Sequence, residues 1–335
     1  MAAAAFVVVS ARWHDWFDLR IYQGAIRLWL AGGDLYGYRQ PGPHRDYGFT
    51  YPPFAALVLT PLALLPLPGA AGVLTAASLA GTVAVLRLRL RRALPVLTAL
   101  VLLTTLEPWR DTLGFGQVNL VLLALVALDL LRLRSGALIG IATAVKLTPA
   151  LFIVYLLIAR RYREALVAAG TAAATTAATW LAEPAASARY WGGLAWQVSR
   201  IGEAGEPADQ SLAGALHRLG APDLLWPPLA VAVLLVWAAR VRHAGDWAGL
   251  ALTGVTMCLV SPFTWVHHLV WALPALLVVR RPLAVAAGVV LALRLVWLAP
   301  PLSLLTLLCL VLLVAIRTSD VSTRGDPLRP VMSGW

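Results

Sequence analysis

Apolar runs recur from one end of this 335-residue chain to the other, and the loops between them alternate between two chemistries. One kind of loop is short and rich in arginine: Arg87, Arg89, Arg91 and Arg92; Arg132 and Arg134; Arg160, Arg161 and Arg163; Arg240 and Arg242; Arg280 and Arg281; and a tail with Arg317, Arg324 and Arg329. The other kind, roughly 12–53, 107–117, 183–227 and 261–268, is longer and acidic or mixed. Such alternation is the mark of a chain that crosses a bilayer repeatedly, because arginine is retained on the cytoplasmic side. Composition agrees: hydrophobic residues make up 60% and charged residues 13%, about half the charge of an ordinary soluble domain. A soluble enzyme, a disordered tail protein and a fibrous repeat are excluded.

The net charge of +11 would point to nucleic acid in a soluble protein. Here it is largely a topology signal, so no nucleic-acid partner is expected. The arginine loops belong in the cytoplasm and the mixed loops on the extracytoplasmic face. The two cysteines, Cys258 and Cys309, lie in apolar runs and form no disulfide framework or zinc pattern. There is no Walker motif and no G-x-G-x-x-G, so nothing points to nucleotide chemistry.

At about 20 apolar residues per crossing, the expected fold is all-α: a polytopic bundle of about 10–12 transmembrane helices, in one unit over 1–317 with a cytoplasmic tail at 318–335. Residues 93–131 should form a hairpin with its tip at 107–117 outside, and Glu107-Pro-Trp109-Arg110-Asp111 at that tip reads as a solvated turn. The segment 135–159 lies between two arginine clusters and is broken at Lys146-Leu-Thr-Pro149. It reads as two half-helices, tolerated where protein or a cavity covers the freed backbone. Residues 54–86 hold two apolar runs split at Pro66-Leu-Pro68-Gly69. The first apolar stretch, Ala2 to Ala11, is about half a span and lacks a basic flank, so it makes a poor signal peptide.

In the first mixed loop, residues 18–31 place Ile21, Tyr22, Ala25, Ile26, Trp29 and Leu30 opposite Arg20, Gln23 and Arg27. That stripe predicts an amphipathic helix in the membrane interface, capped by Asp18 and ended by Gly32-Gly33. Further polar groups assigned to the same outer face are Glu107, Arg110, Asp111, Gln117, Asn119, His267 and His268. Lys146, the one lysine, and Arg294 are the two cations inside apolar runs. An intramembrane cation is a functional candidate by default. Lys146 would support the broken-helix pocket or hold a phosphate, and Arg294 would hold a phosphate or snorkel.

Several short patterns occur in order between residues 18 and 268: Asp18-Leu-Arg-Ile-Tyr22, Gly33-Asp-Leu-Tyr36, Phe49-Thr-Tyr51-Pro52-Pro53, Gly116-Gln117-Val-Asn119, Lys146-Leu-Thr-Pro149, Gln210-Ser211-Leu with Arg218 downstream, and Ser261-Pro262-Phe-Thr-Trp265-Val-His267-His268. In these the chain resembles glycosyltransferase family 87, bacterial polyprenol-phosphate-sugar-dependent transferases with a GT-C membrane fold. Two departures stand out: the short first helix, and Asp209 where an Asn often precedes Gln-Ser.

The resemblance implies inverting transfer of a mannosyl residue from a polyprenyl phosphate to a lipid-linked or glycan hydroxyl. The donor is a substrate, and no cofactor or metal is implied. The bilayer, the donor and a glycolipid or glycan acceptor are the implied partners. The implied place is the bacterial plasma membrane, with the site on the extracytoplasmic side. Displacement at the anomeric carbon needs a carboxylate to take the acceptor proton, and donors or cations at the departing phosphate. Asp18 is the candidate base, with Asp15 its nearest rival. His267, His268, Lys146, Tyr22, Tyr51, Gln117, Asn119, Arg110 and Arg294 are the candidate substrate-binding residues. Arabinofuranosyl transfer from the corresponding lipid phosphate, and a non-enzymatic lipid or solute transporter, remain as alternatives.

Overall fold

The computed structural model describes residues 14–42 and 45–318. The first apolar stretch and most of the C-terminal tail therefore lie outside the described residues. In chain order the α-helices are α1 (Phe17–Leu30), α2 (Pro53–Ala63), α3 (Leu67–Arg89), α4 (Ala93–Leu103), α5 (Glu107–Phe115), α6 (Asn119–Leu128), α7 (Ala137–Val145), α8 (Ala150–Ile158), α9 (Tyr162–Ala182), α10 (Pro184–Gly192), α11 (Leu212–Arg218), α12 (Trp226–Val241), α13 (Asp246–Val260), α14 (Arg281–Ala292), α15 (Leu295–Leu298) and α16 (Leu304–Ala315). A 3-10 segment, Val266–Leu277, follows α13. Among the described residues the strands are a two-residue ribbon, Gln40–Pro41 paired antiparallel with Asp46–Tyr47. The fold is all-α, as expected.

The spans are more broken than the apolar runs imply. Among the described residues, three continuous helical stretches are long and apolar enough to cross a bilayer: Leu67–Arg89, Tyr162–Ala182 and Asp223–Val241. Most of the other apolar helices are short. At about 1.5 Å per residue, the 11-residue α2 reaches roughly half-way through a hydrocarbon core of about 30 Å. Uninterrupted crossings are thus far fewer than ten. The cause is local: Pro66 and Pro68 separate α2 from α3, Lys146–Pro149 separates α7 from α8, and Arg294, at φ 53°, ends the helical run after α14. The predicted break at 146–149 is where two nine-residue half-helices meet.

The stretch expected to be a solvated turn is instead helix α5. It meets the helix that follows at 114°, and Glu107, Trp109 and Asp111 are buried. Gly116 makes the bend. It sits at φ +69°, and an added Cβ would lie 2.7 Å from Leu19 Cβ. Only glycine adopts that conformation cheaply while letting α1 approach so closely. A second close approach occurs at Gly254, where a Cβ would lie 2.0 Å from the Trp271 carbonyl oxygen. That contact lets α13 pack on the 3-10 segment and sets the turn 261–265 between them.

Helix α1 begins where expected, but Gln23 does not face water, and the exposed Arg27 folds its guanidinium back onto the chain. Gln23 is buried, its Nε2 donating to the carbonyls of Leu62 (2.8 Å) and Leu65 (3.0 Å). Arg27 Nε and Nη2 donate to Ala63 and Leu65 carbonyls, each at 2.8 Å. A helix halted by proline leaves its last carbonyls without N–H partners. The polar side of α1 supplies them.

The two loop chemistries separate in space. Arg161 pairs with Glu164 and with Asp246 (3.0 Å), Arg134 pairs with the other Asp246 oxygen (3.2 Å), and Arg161 also donates to the Leu130 carbonyl. Three arginine loops thus meet in one ionic knot. Nearby, Asp129 accepts from the backbone of Ser135, Gly136 and Ile139 and so caps the start of α7. The mixed loops gather elsewhere, around a cavity.

Candidate active site

The cavity has a volume of about 830 Å³. Its walls come from the start of α1, the segment 47–52, the α5–α6 bend, the α7–α8 break, the loop 194–201, residues 206–208, the turn 261–268, and Arg294 with Trp297. Apart from Ile21 and Tyr22 in α1, Asp111 in α5 and Tyr190 near the end of α10, these are mostly loops, bends and helix ends. Segments more than 250 residues apart in sequence converge there.

Asp18 lies on this wall, in the first turn of α1. It is not the helix cap. Trp16 occupies that position in a left-handed conformation, and no side chain caps the helix. The Asp18 carboxylate is held from across the cavity: Gln117 Nε2 donates to its Oδ2 at 2.6 Å. Burial pushes the Asp18 carboxyl up from 3.8 to about 6, against the opposing influence of the Gln117 bond and the positive fields of Lys146 and His14. Asp15 also faces the cavity, but its side chain is 70% exposed and paired with Arg20 at 2.8 Å.

Behind Asp18 runs a directional hydrogen-bond chain. The Lys146 ammonium donates to Asn119 Oδ1 (2.9 Å), to the Tyr51 hydroxyl (3.3 Å) and to His268 Nε2 (3.2 Å). An ammonium only donates, so Asn119 must turn its oxygen to the lysine and its nitrogen to Gln117 Oε1 (3.3 Å). Tyr51 donates to the same Gln117 oxygen (2.9 Å) and accepts from Tyr22 (2.9 Å). Gln117 is left with its N–H pointing at Asp18. The cation therefore fixes, through two amides, a donor on the carboxylate.

Of the predicted substrate-binding residues, Tyr22, Tyr51, Gln117, Lys146, His267, His268 and Arg294 line the cavity. Asn119 stands behind the wall, linking Lys146 to Gln117. Arg110 is not on the wall; one position beyond the buried Trp109 on α5, it follows a different helix face. Arg294 does reach the cavity, yet its Nε is bound to the buried Glu107 carboxylate at 2.7 Å, and Trp297 Nε1 bonds the same oxygen at 2.6 Å. The His267 ring is near-parallel to Trp265 and tilted against Phe115, and its Nε2 has no partner among the described residues.

Three wall residues had no signal strong enough to be singled out. His14 donates to or accepts from Asp111 at 3.0 Å and stacks on Phe115 at 4.0 Å; its position four residues before Asp18 was the one available hint. Thr148 sits within the helix break. Arg200 arrives on an exposed 3-10 turn of a loop without any pattern of its own. The Gln210-Ser211 pattern proves architectural: Ser211 caps α11, Asp209 accepts from the Ser211 and Thr264 amides, and Gln210 bonds the start of α16.

A second recess adjoins the first. It is apolar, about 650 Å³, and lies between α7 and α9, with Trp180 and Trp191 at its edge. Leu147 borders both spaces.

The model of glycosyltransferase family 87 matches residues 49–262. The chain belongs to this family. The polyprenol-phosphate-mannose-dependent alpha-(1-2)-phosphatidylinositol mannoside mannosyltransferase of Mycobacterium tuberculosis is 38% identical over 320 residues, covering 82% of this chain and 74% of the relative. The enzyme of that name from Mycolicibacterium smegmatis is 37% identical over 304 residues, covering 78% and 69%. A polyprenol-phosphate-mannose-dependent alpha-(1-2)-phosphatidylinositol pentamannoside mannosyltransferase of the latter organism is 33% identical over 310 residues, covering 86% and 75%. No solved structure matches this chain. The protein is thus a membrane glycosyltransferase of family 87, which removes the transporter alternative.

Proposed function

We propose that this family 87 enzyme transfers mannose from a polyprenyl-phosphate-mannose donor to a hydroxyl of a phosphatidylinositol-mannoside-type acceptor, with inversion, on the extracytoplasmic face of the plasma membrane. The relatives' names support mannose over arabinofuranose, and the mixed character of the cavity loops supports the outer face.

The observation that carries the reading is the Asp18 carboxylate on the cavity wall with one oxygen held by Gln117. In a single displacement, Asp18 takes the proton of the acceptor hydroxyl as its oxygen bonds the anomeric carbon. The bond from that carbon to the phosphate oxygen breaks, and the polyprenyl phosphate leaves with the electron pair. A base works best with a pKa just below the working pH, and a carboxyl pushed to about 6 is a stronger base than a solvated one while still ionised near pH 7. The apolar recess beside Leu147 suits the isoprenoid tail, which needs a groove continuous with the reaction space. His267 and His268 serve substrate oxygens, and the Lys146–Asn119–Gln117 chain holds the base.

Membranes carrying the wild type or Asp18→Asn, incubated with radiolabelled polyprenyl-phosphate-mannose and lipid extract, test this. Label should enter glycolipid with the wild type and fall at least about 1,000-fold with the variant. Equal labelling by both would remove Asp18 from its role. Labelling from a polyprenyl-phosphate-arabinose donor instead would replace the sugar.

A further inference from the structure

We infer that Arg200 is the phosphodiester-binding residue of the cavity, the side chain that receives the phosphate of one of the two lipid substrates. The inference rests on the function proposed above for the class of ligand, because a polyprenyl-phosphate sugar and a phosphatidylinositol-type acceptor each carry one phosphodiester.

The cations of the cavity differ in how much of their charge the protein already uses. Lys146 has three ammonium protons and three protein acceptors, Asn119, Tyr51 and His268, so its hydrogen-bonding capacity is filled within the protein. Arg294 is bound to the buried carboxylate of Glu107. Arg200 differs from both. It is half-buried on the wall, and among the described residues no carboxylate lies within 4.0 Å of it. Among the described residues its side chain makes one hydrogen bond, to a neutral group, from Nη2 to the Phe49 carbonyl at 2.9 Å. The guanidinium sits 5.5 Å from the centre of the Tyr36 ring, and Tyr36 stacks on Tyr190. The plane is therefore held from two sides while Nε and Nη1 keep their protons for a ligand.

The surroundings make an anion welcome. Arg39, whose Nη1 donates to the Tyr36 and Tyr38 carbonyls, and Arg189, paired with Asp34, both stand close enough to act on Arg200. Burial and these two like charges push the Arg200 pKa down. A phosphodiester docked there would relieve that repulsion and accept two parallel N–H bonds, the geometry for which arginine is suited.

Initial-rate kinetics on the full-length enzyme in detergent test the assignment with Arg200→Gln and Arg200→Lys. Donor is varied at fixed acceptor, and two acceptors are compared: a phosphatidylinositol mannoside and a phosphate-free alkyl mannoside. For Arg200→Gln we expect KM for one phosphate-bearing substrate to rise about 10–100-fold, with kcat changed less than about threefold and Arg200→Lys recovering part of the loss. A rise for polyprenyl-phosphate-mannose assigns the site to the donor. A rise for the phosphatidylinositol mannoside alone, sparing the alkyl mannoside, assigns it to the acceptor. The assignment is overturned if every KM stays within twofold of wild type, or if the alkyl mannoside suffers as much as the phosphatidylinositol mannoside with the donor unaffected. Equilibrium binding of polyprenyl phosphate and of phosphatidylinositol, measured without turnover, separates this from failure of the proposed transfer reaction. Loss of binding of one lipid in Arg200→Gln supports the site even if no mannose moves, and unchanged binding of both opposes it. Should Arg200→Gln fail to fold, the same comparisons on Arg200→Lys decide, a KM or Kd shift of threefold or more for one phosphate lipid being required.

Discussion

Gln117 reaches across the cavity to donate its amide N–H to Asp18 at 2.6 Å, although 99 positions separate the two in the chain. The contact fixes one oxygen of a carboxylate that lines the cavity. Gln117→Ala should lower kcat by about 10–100-fold with little change in KM, since positioning acts in the transition state. Because this hydrogen bond lowers the Asp18 pKa, its loss should also move the acid limb of the rate profile to higher pH. A rate profile superimposable on the wild type would contradict the role.

The pH dependence follows from the same carboxyl. With its proton leaving near pH 6, kcat should climb about tenfold per unit below that value and level off above it. Stability moves the other way. A free aspartate loses its proton near 3.8, so between 3.8 and about 6 the unfolded chain binds fewer protons than the folded one, and stability falls as pH rises through that window. Asp18→Asn should therefore raise the unfolding free energy at pH 7.5 by about 1–2 kcal/mol, after allowing for the carboxylate's partial exposure to the cavity. Thermal unfolding in detergent at pH 4 and pH 7.5 checks this, the gain being confined to the higher pH.

Gly116 ties α5 and α6 to α1. Gly116→Ala places a side chain in a left-handed conformation and against Leu19 Cβ, which should cost about 2–4 kcal/mol. Activity should fall further than stability alone explains, because the residue that moves next is Gln117. An unfolding midpoint within a degree of wild type would refute the packing argument.

Lys146 acts here on other side chains. Lys146→Met leaves Asn119 free to rotate and Gln117 free to turn its oxygen toward Asp18, where it would repel the carboxylate. The expected result is a kcat about 100-fold lower with donor KM within about twofold of wild type. A large rise in donor KM with kcat intact would make Lys146 a phosphate ligand instead.

Much of the plan was legible in the chain itself. Periodicity and arginine placement dictated an all-helical membrane protein and the two classes of loop, because hydrophobic matching and charge retention act on local sequence. The end of α1 was readable from Gly32-Gly33, and the break at 146–149 with its pair of half-helices from Pro149 and one stranded lysine. The patterns that contain Asp18, Gln117 and His267, far apart in the chain, line one cavity.

What tertiary structure decided was pairing. Asp18 as a helix cap and Glu107-Pro-Trp109-Arg110-Asp111 as a solvated turn were sensible local readings, and both failed. Distant groups claimed those side chains: Gln117 took Asp18, Arg294 and Trp297 took Glu107, and His14 took Asp111. Arg200 carried no local pattern at all, and among the described residues no element brings a carboxylate within 4.0 Å of it. Local sequence governs backbone conformation and side of the membrane. Which buried donor meets which acceptor depends on close approaches between helices, such as Gly116 against Leu19, that no single segment encodes.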